Sequence, residues 1–172
     1  MKKIDLSTTH IMGILNLTDN SFYDGNKYNT QEKAINQVRK MIKEGATIID
    51  IGAQSSKPGS EEISEDEEWK RIEDVLKKVR SEFKNILISI DTYRSSVAEK
   101  SINNGADIIN DISSGNLDKN MFHTIAKYQV PYILMHMQNT PKNMQNNPIY
   151  DNVIKEIIEF FTKKINILNN LG

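Results

Sequence analysis

Apolar positions along the chain fall into short dense runs separated by longer stretches in which apolar residues recur every three or four positions. The runs lie at 11–15, 86–90 and 132–137, and at Ile48-Ile49-Asp50-Ile51 and Ile108-Ile109-Asn110-Asp111. They are rich in Ile and too short for helices, which suits strands buried on both faces of a parallel sheet. Two of them share a phrase: Gly45-Ala46-Thr47-Ile48-Ile49-Asp50-Ile51 reappears as Gly105-Ala106-Asp107-Ile108-Ile109-Asn110-Asp111. Each Gly follows a helical segment and suits its left-handed C-cap, so the phrase reads as a helix feeding a strand. The stretches between runs predict helices. One starts at a cap on Asn29 or Thr30 and runs to Glu44. A second is opened by the Ser64/Glu67 capping box, with Glu65-Asp66-Glu67-Glu68 complementing its dipole. Others cover about 95–104, 118–128 and 152–170. The last carries a stripe of Ile154, Ile157, Ile158, Phe161, Ile165 and Leu168.

Five βα units fit either an open doubly wound sheet or the first part of a (β/α)8 barrel, which normally needs ~250 residues. Length alone favours the open sheet. The glycine-rich phosphate loops of nucleotide-binding open sheets are absent, however, and a polar residue ends each strand: Asn16, Asp50, Asp91, Asn110 and His136. In a barrel these ends converge on one mouth. The expectation is therefore an α/β chain, residues 1–172 forming the N-terminal part of a single TIM-barrel domain of parallel strands.

Composition narrows the partners. Lys and Arg number 22 against 23 Asp and Glu, so charge supplies no reason to expect nucleic acid or an acidic membrane. There is no Cys, which excludes disulfides, thiolate zinc and cysteine nucleophiles. No apolar run approaches the ~20 residues of a membrane span, and the N-terminus lacks a signal-peptide core, so a cytoplasmic address is expected.

Candidate chemistry sits at the strand ends. Asn16 opens a polar loop holding Phe22 and Tyr23, which by itself is also an ordinary turn. Residues 50–60 combine hydroxyls, small residues and Lys57, able to cradle a phosphate or to form a plain surface loop. Asp91 directly follows a buried strand, so its carboxylate must be solvated, hydrogen-bonded, capping or functional. Asn110 and Asp111 are neighbours and point to opposite faces, so only one faces the interior. Asp91 with Asn110 would offer acceptors and a donor to the edge of a heterocycle. With only three His residues and no cluster of them, His136 reads as a positioned side chain rather than a metal ligand.

Six phrases together resemble the dihydropteroate synthase family. They are Met12-Gly13-Ile14-Leu15-Asn16-Leu17-Thr18, Ser21-Phe22 with Asp24-Gly25, Asp50-Ile51-Gly52 with Ser55 and Pro58-Gly59, Ile90-Asp91-Thr92-Tyr93, Ile109-Asn110-Asp111-Ile112-Ser113, and Leu134-Met135-His136-Met137-Gln138 with Pro141 and Met144-Gln145. They stand in the family's order and approximate spacing. The resemblance implies a transferase of folate biosynthesis, the target of sulfonamides, that joins 6-hydroxymethyl-7,8-dihydropterin diphosphate to p-aminobenzoate and releases pyrophosphate. It implies Mg2+ with Asn16 as ligand, and Ser55, Ser56 and Lys57 at the diphosphate. Asp91, Asn110 and Met135 are implied at the pterin, and Phe22 and Pro58 in the p-aminobenzoate pocket. The intact enzyme is implied to be a homodimer.

Departures from the family pattern fall in two loops. Its Thr-Pro-Asp-Ser-Phe reads Thr18-Asp19-Asn20-Ser21-Phe22, and its Gly-Glu-Ser-Thr-Arg-Pro-Gly reads Ala53-Gln54-Ser55-Ser56-Lys57-Pro58-Gly59. Lys57 keeps the charge of the usual Arg without its bidentate fork. Three further family units, bearing an Asp, a Lys and an Arg/His pair, have no counterpart before Gly172, so a fragment of the barrel is expected. Two other readings compete: a non-catalytic pterin-binding half-barrel, and a pterin-dependent methyltransferase, which shares the Asp and Asn but not the two loops.

Overall fold

A computed structural model describes residues 4–17, 27–54, 62–141, 143–144 and 147–172. Strands and helices alternate without exception along the described chain. They are β1 (Met12–Asn16), α1 (Lys27–Lys43), β2 (Ile48–Gly52), α2 (Glu65–Glu82), β3 (Leu87–Asp91), α3 (Ser95–Asn103), β4 (Ile108–Asp111), α4 (Met121–Tyr128), β5 (Tyr132–Leu134) and α5 (Val153–Leu171). The strands pair in parallel in the order β1-β2-β3-β4-β5. This is the sheet order of a (β/α)8 barrel, in which each crossover helix returns the chain to the adjacent strand. None of the described helices is long and apolar enough to cross a membrane.

Alternation along the strands creates two apolar layers. Leu15, Ile49, Ile51, Ile88, Ile90 and Ile109 face the helices and pack with Ile35, Val38, Ile72, Leu76, Val79 and Val97. The opposite face carries a smaller cluster, Ile48, Leu87 and Ile108, with Met12 and Ile133 against it. That cluster fills the lower barrel interior. One step up the same face, the apolar residues give way to polar ones.

At the lower rim Arg80 of α2 holds several chain ends together. Its Nε and Nη2 donate to the Gly105 carbonyl at 2.9 and 2.8 Å, and its Nη1 donates to the Ile86 carbonyl at 2.9 Å. The guanidinium also pairs with Asp107, whose Oδ2 accepts the Ile88 N–H at 2.9 Å. Gly105 ends α3 at φ +103°, and a Cβ there would lie 3.0 Å from Arg80 Cγ, so both the turn and the close approach call for glycine.

Several boundaries differ from the sequence expectation. The first helix begins at Lys27, so Asn29 and Thr30 fall inside it instead of capping it. Ala34, Ile35 and Val38 are fully buried, and burial of such a face outweighs a single capping preference. The Ser64 cap forms as expected, its side chain accepting the Glu67 N–H. The fifth strand ends at Leu134, short of 137, because the Ser114 hydroxyl accepts the Met135 N–H at 2.8 Å and donates to the Met135 carbonyl at 2.7 Å. That side chain replaces the next rung of the ladder. The fourth helix starts at Met121, because Asp118 instead accepts the Ser95 N–H at the start of α3 and the Asn120 N–H.

The apolar stripe of α5 is not buried as a stripe. Ile154, Ile158 and Ile165 are exposed, while Leu168 reaches the main core. The most buried residue of this helix is Lys164, whose Nζ donates to Asn116 Oδ1 at 2.5 Å and lies over the Phe122 and Phe160 rings. The helix leans on α4 and the turn after β4, so only part of its circumference meets protein.

Candidate functional site

Parallel register places Asn16, Gly52, Asp91, Asn110 and Ile133 side by side in one row across all five strands. The row below runs Ile14, Asp50, Ser89 and Ile108. Side chains two apart on a strand share a face, so both rows project into the barrel interior, the lower one ending at Ile108 of the apolar cluster that lies beneath them. Of the five polar residues expected to close the strands at one mouth, Asn16, Asp91 and Asn110 stand in one row, whereas Ile133 takes the fifth place and His136 lies two residues beyond the end of β5. Asp50 sits one layer deeper than the strand end expected for it.

Gly52 separates Asn16 from Asp91 and leaves the space that Asp91 occupies. A Cβ at Gly52 would stand 3.2 Å from Asp91 Cβ and 3.3 Å from its Oδ2. The Asp91 carboxyl lies among negative neighbours. Burial first, and then the charges of Asp50, Glu68 and Asp111, push it from the usual 3.8 up to about 7. Asp50 is 2% exposed, and burial raises its carboxyl too, against the opposing pull of Ser89 and Asn110. Asn110 Nδ2 donates to Asp50 Oδ2 at 3.1 Å, a diagonal bond that passes over β3.

Asp111 faces the other way, as alternation requires. It is fully buried behind the sheet, where Oδ1 accepts the Ser113 N–H and Oδ2 accepts the Gly115 N–H and the Tyr132 hydroxyl. Of the adjacent pair, Asn110 therefore serves the interior and Asp111 the loop. Met135 lies just past β5 and is held by both backbone bonds to Ser114. The His136 ring packs edge-on against Phe160 at 4.9 Å and near Tyr150 at 5.8 Å. It is thus set among aromatics of the last helix and its approach.

Beyond β3 the chain is bound to the start of α2. Arg94 pairs with Glu68, a carboxylate only 1% exposed, and donates to the Ile63 carbonyl at 2.7 Å and to Glu62 at 3.2 Å. The Tyr93 hydroxyl donates to Glu62 at 2.5 Å. These bonds fix residues 62–63 ahead of α2 against the segment that follows β3. The expected diphosphate residues Ser55, Ser56 and Lys57, the expected p-aminobenzoate residues Phe22 and Pro58, and the departures at Asp19 and Asn20 lie outside the described residues.

Among the described residues no group of three or more His, Asp and Glu is arranged to hold a metal ion. Asn16 is exposed at the mouth, where its amide oxygen is a suitable donor for a hard cation. In the sequence Asp50 stands out only as one of the polar strand ends, with no role of its own, and Gly52 does not stand out at all. The signal for Asp50 was a carboxylate inside a strand otherwise made of Ile and Gly. Gly52 carried none, because its role depends on a side chain from the neighbouring strand.

Parallel βα units in this strand order, with hydrogen-bonding side chains at the C-terminal ends of the strands and apolar ones below, define part of a (β/α)8-type barrel. The chain belongs to the pterin binding enzyme family, whose model matches residues 12–172. It is 43% identical to the dihydropteroate synthase of Haemophilus influenzae over 165 residues, 96% of this chain and 59% of that protein. It is 52% identical to the mitochondrial folate synthesis bifunctional protein of Arabidopsis thaliana over 153 residues, 87% of this chain and 28% of that protein. The crystal structure of Yersinia pestis dihydropteroate synthase with a sulfonamide drug superposes with a TM-score of 0.88 at 40% identity, covering 98% of this chain and 61% of that one. The Xanthomonas albilineans dihydropteroate synthase in complex with 7,8-dihydropteroate superposes with a TM-score of 0.82 at 28% identity, covering 98% of this chain and 58% of that one. The chain thus spans about three fifths or less of the length of these relatives.

Proposed function

We propose that the protein is a dihydropteroate synthase, and that residues 1–172 carry the pterin-reading part of its site. The observation that supports this most directly is the row of Asn16, Gly52, Asp91 and Asn110 at one level of the barrel mouth. A pterin ring presents donors and acceptors along one edge. Asp91 supplies a carboxyl, and Asn110 supplies an amide whose remaining atoms stay available beside its bond to Asp50. Met135 forms an apolar wall beside the ring.

In the reaction, the bond between the pterin methylene carbon and the diphosphate oxygen breaks, its electron pair leaving with pyrophosphate. The amine nitrogen of p-aminobenzoate forms the new C–N bond and then loses a proton. No nucleophilic side chain is needed. Positioning and stabilisation of the departing anion carry the rate. Ser55, Ser56 and Lys57 bind the diphosphate, while Phe22 and Pro58 hold the aromatic amine. Asn16 is the residue that would hold Mg2+, and the ion, when bound, would neutralise charge on the diphosphate. One amide oxygen is sufficient on the protein side, since a phosphate-bound magnesium takes its other ligands from phosphate and water.

The test is ligand protection in thermal melts. 6-Hydroxymethyl-7,8-dihydropterin diphosphate is expected to raise the melting temperature of the chain, and Asp91→Ala is expected to abolish the rise. Undiminished protection of the Asp91→Ala chain would defeat the assignment. Gly52→Ala gives a graded version, because the new methyl crowds Asp91 without removing it. Isothermal titration is expected to show about tenfold weaker pterin binding for Gly52→Ala, with about 1–2 kcal/mol lost in urea unfolding.

A further inference from the structure

Asp50 occupies an expensive position. It lies in the middle of β2, its side chain points into the barrel beside Ser89, and it is 2% exposed. Oδ2 accepts the Asn110 Nδ2–H at 3.1 Å, while Oδ1 is buried with no hydrogen-bond partner among the described residues. A buried carboxyl whose second oxygen has only the Ser89 hydroxyl beside it lowers stability, and a leucine, with the same number of side-chain heavy atoms, would carry no such polar cost. The one described hydrogen bond of Asp50 points to Asn110, a residue of the pterin row.

An asparagine amide has two unlike ends, and rotation by half a turn exchanges them. A site that reads a heterocycle through such an amide needs one orientation held, or the donor and acceptor arrive reversed. Asp50 Oδ2 can hold it. A carboxylate oxygen only accepts, and if the group takes up a proton, that proton can sit on Oδ1 and leave Oδ2 an acceptor still. Nδ2 must therefore turn toward Asp50, which leaves Asn110 Oδ1 and its second N–H for a ligand.

We propose that Asp50 is a positioning residue of the pterin site, fixing the amide of Asn110 so that it presents one acceptor and one donor in a set order. The inference rests on the pterin-binding reading for its consequence, though the lock between the two side chains exists without ligand.

Two variants of the full chain separate this role from a structural one. Asp50→Leu removes the acceptor and keeps the branched shape and heavy-atom count, whereas Asp50→Asn keeps an acceptor oxygen. Asp50→Leu is expected to melt at or above the wild-type temperature yet bind 6-hydroxymethyl-7,8-dihydropterin diphosphate about tenfold or more weakly. Asp50→Asn is expected to stay within about threefold of wild type. Wild-type affinity in Asp50→Leu overturns the proposal. So does a binding loss that merely follows a lowered melting temperature in both variants. A ligand-free measurement covers the case in which Asp50→Leu does not fold. In wild-type protein, the two Nδ2 protons of Asn110, assigned with Asn110→Asp, should differ widely in chemical shift, and one should exchange slowly with solvent. Equivalent, fast-exchanging protons would show that no lock exists. Absence of any pterin binding by wild-type chain would sink the functional reading, and the Asn110 spectrum would still decide the Asp50 contact by itself.

Discussion

Replacing Asp111 by alanine is expected to lower the unfolding free energy by about 3 kcal/mol or more, read as a shift of the urea midpoint at constant slope. The residue is 0% exposed, and its two oxygens satisfy three donors: the Ser113 N–H at 2.7 Å, the Gly115 N–H at 2.8 Å and the Tyr132 hydroxyl at 2.6 Å. Truncation would strand those donors away from water and open a cavity behind β4. Tyr132→Phe removes one bond and keeps the ring edge-on to Phe122 at 5.8 Å, so it should cost only about 1 kcal/mol. Asp111→Asn should fall between the two, because an amide nitrogen would face an N–H group where an oxygen now accepts. A loss below about 1 kcal/mol in Asp111→Ala would mean that the turn after β4 finds other partners. Since Asn110 precedes Asp111 on the same strand, pterin protection should fail along with stability.

The stability of the chain should also report the titration of Asp91. Its carboxyl stands near 7 in the folded chain against an ordinary 3.8, burial being the first cause and the charges of Asp50, Glu68 and Asp111 the next. A raised value means that the native state holds the proton more tightly than the unfolded chain does. The resulting contribution is full below 3.8 and is lost as pH rises through about 7. Asp91→Asn cannot ionise. The stability of Asp91→Asn minus that of wild type should therefore grow between pH 5 and pH 8, by about 2–3 kcal/mol. Taking the difference cancels carboxyls that shift the opposite way, such as Asp118, whose bonds to the Ser95 and Asn120 N–H groups outweigh burial and hold it low. A difference that stays level over that range would show that Asp91 ionises as an ordinary carboxylate.

Much of this organisation was legible in the residues. Helix and strand spacing marked all five βα units, because a parallel strand buried on both faces leaves a dense apolar run and its crossover helix leaves a periodic one. Polar residues closing those runs pointed to Asn16, Asp91 and Asn110. The ends of elements were less legible. Where β5 stops depends on the Ser114 hydroxyl, and where α4 starts depends on Asp118 turning toward Ser95, so each boundary is set by a residue from another part of the chain. The stripe on α5 was legible but its exposure was not, because periodicity records which positions are apolar, not what covers them.

The sequence by itself determined the parallel α/β class, the order of its units and the residue types at the strand ends, since these follow from local periodicity and short motifs. Only the tertiary structure decided which of those residues share a level. Register between strands sets Asn16, Gly52, Asp91 and Asn110 in one row and drops Asp50 to the row beneath. From that arrangement come the room at Gly52, the raised Asp91 carboxyl and the bond from Asn110 to Asp50. Each depends on distances between strands far apart in the chain, and local spacing carries no record of them.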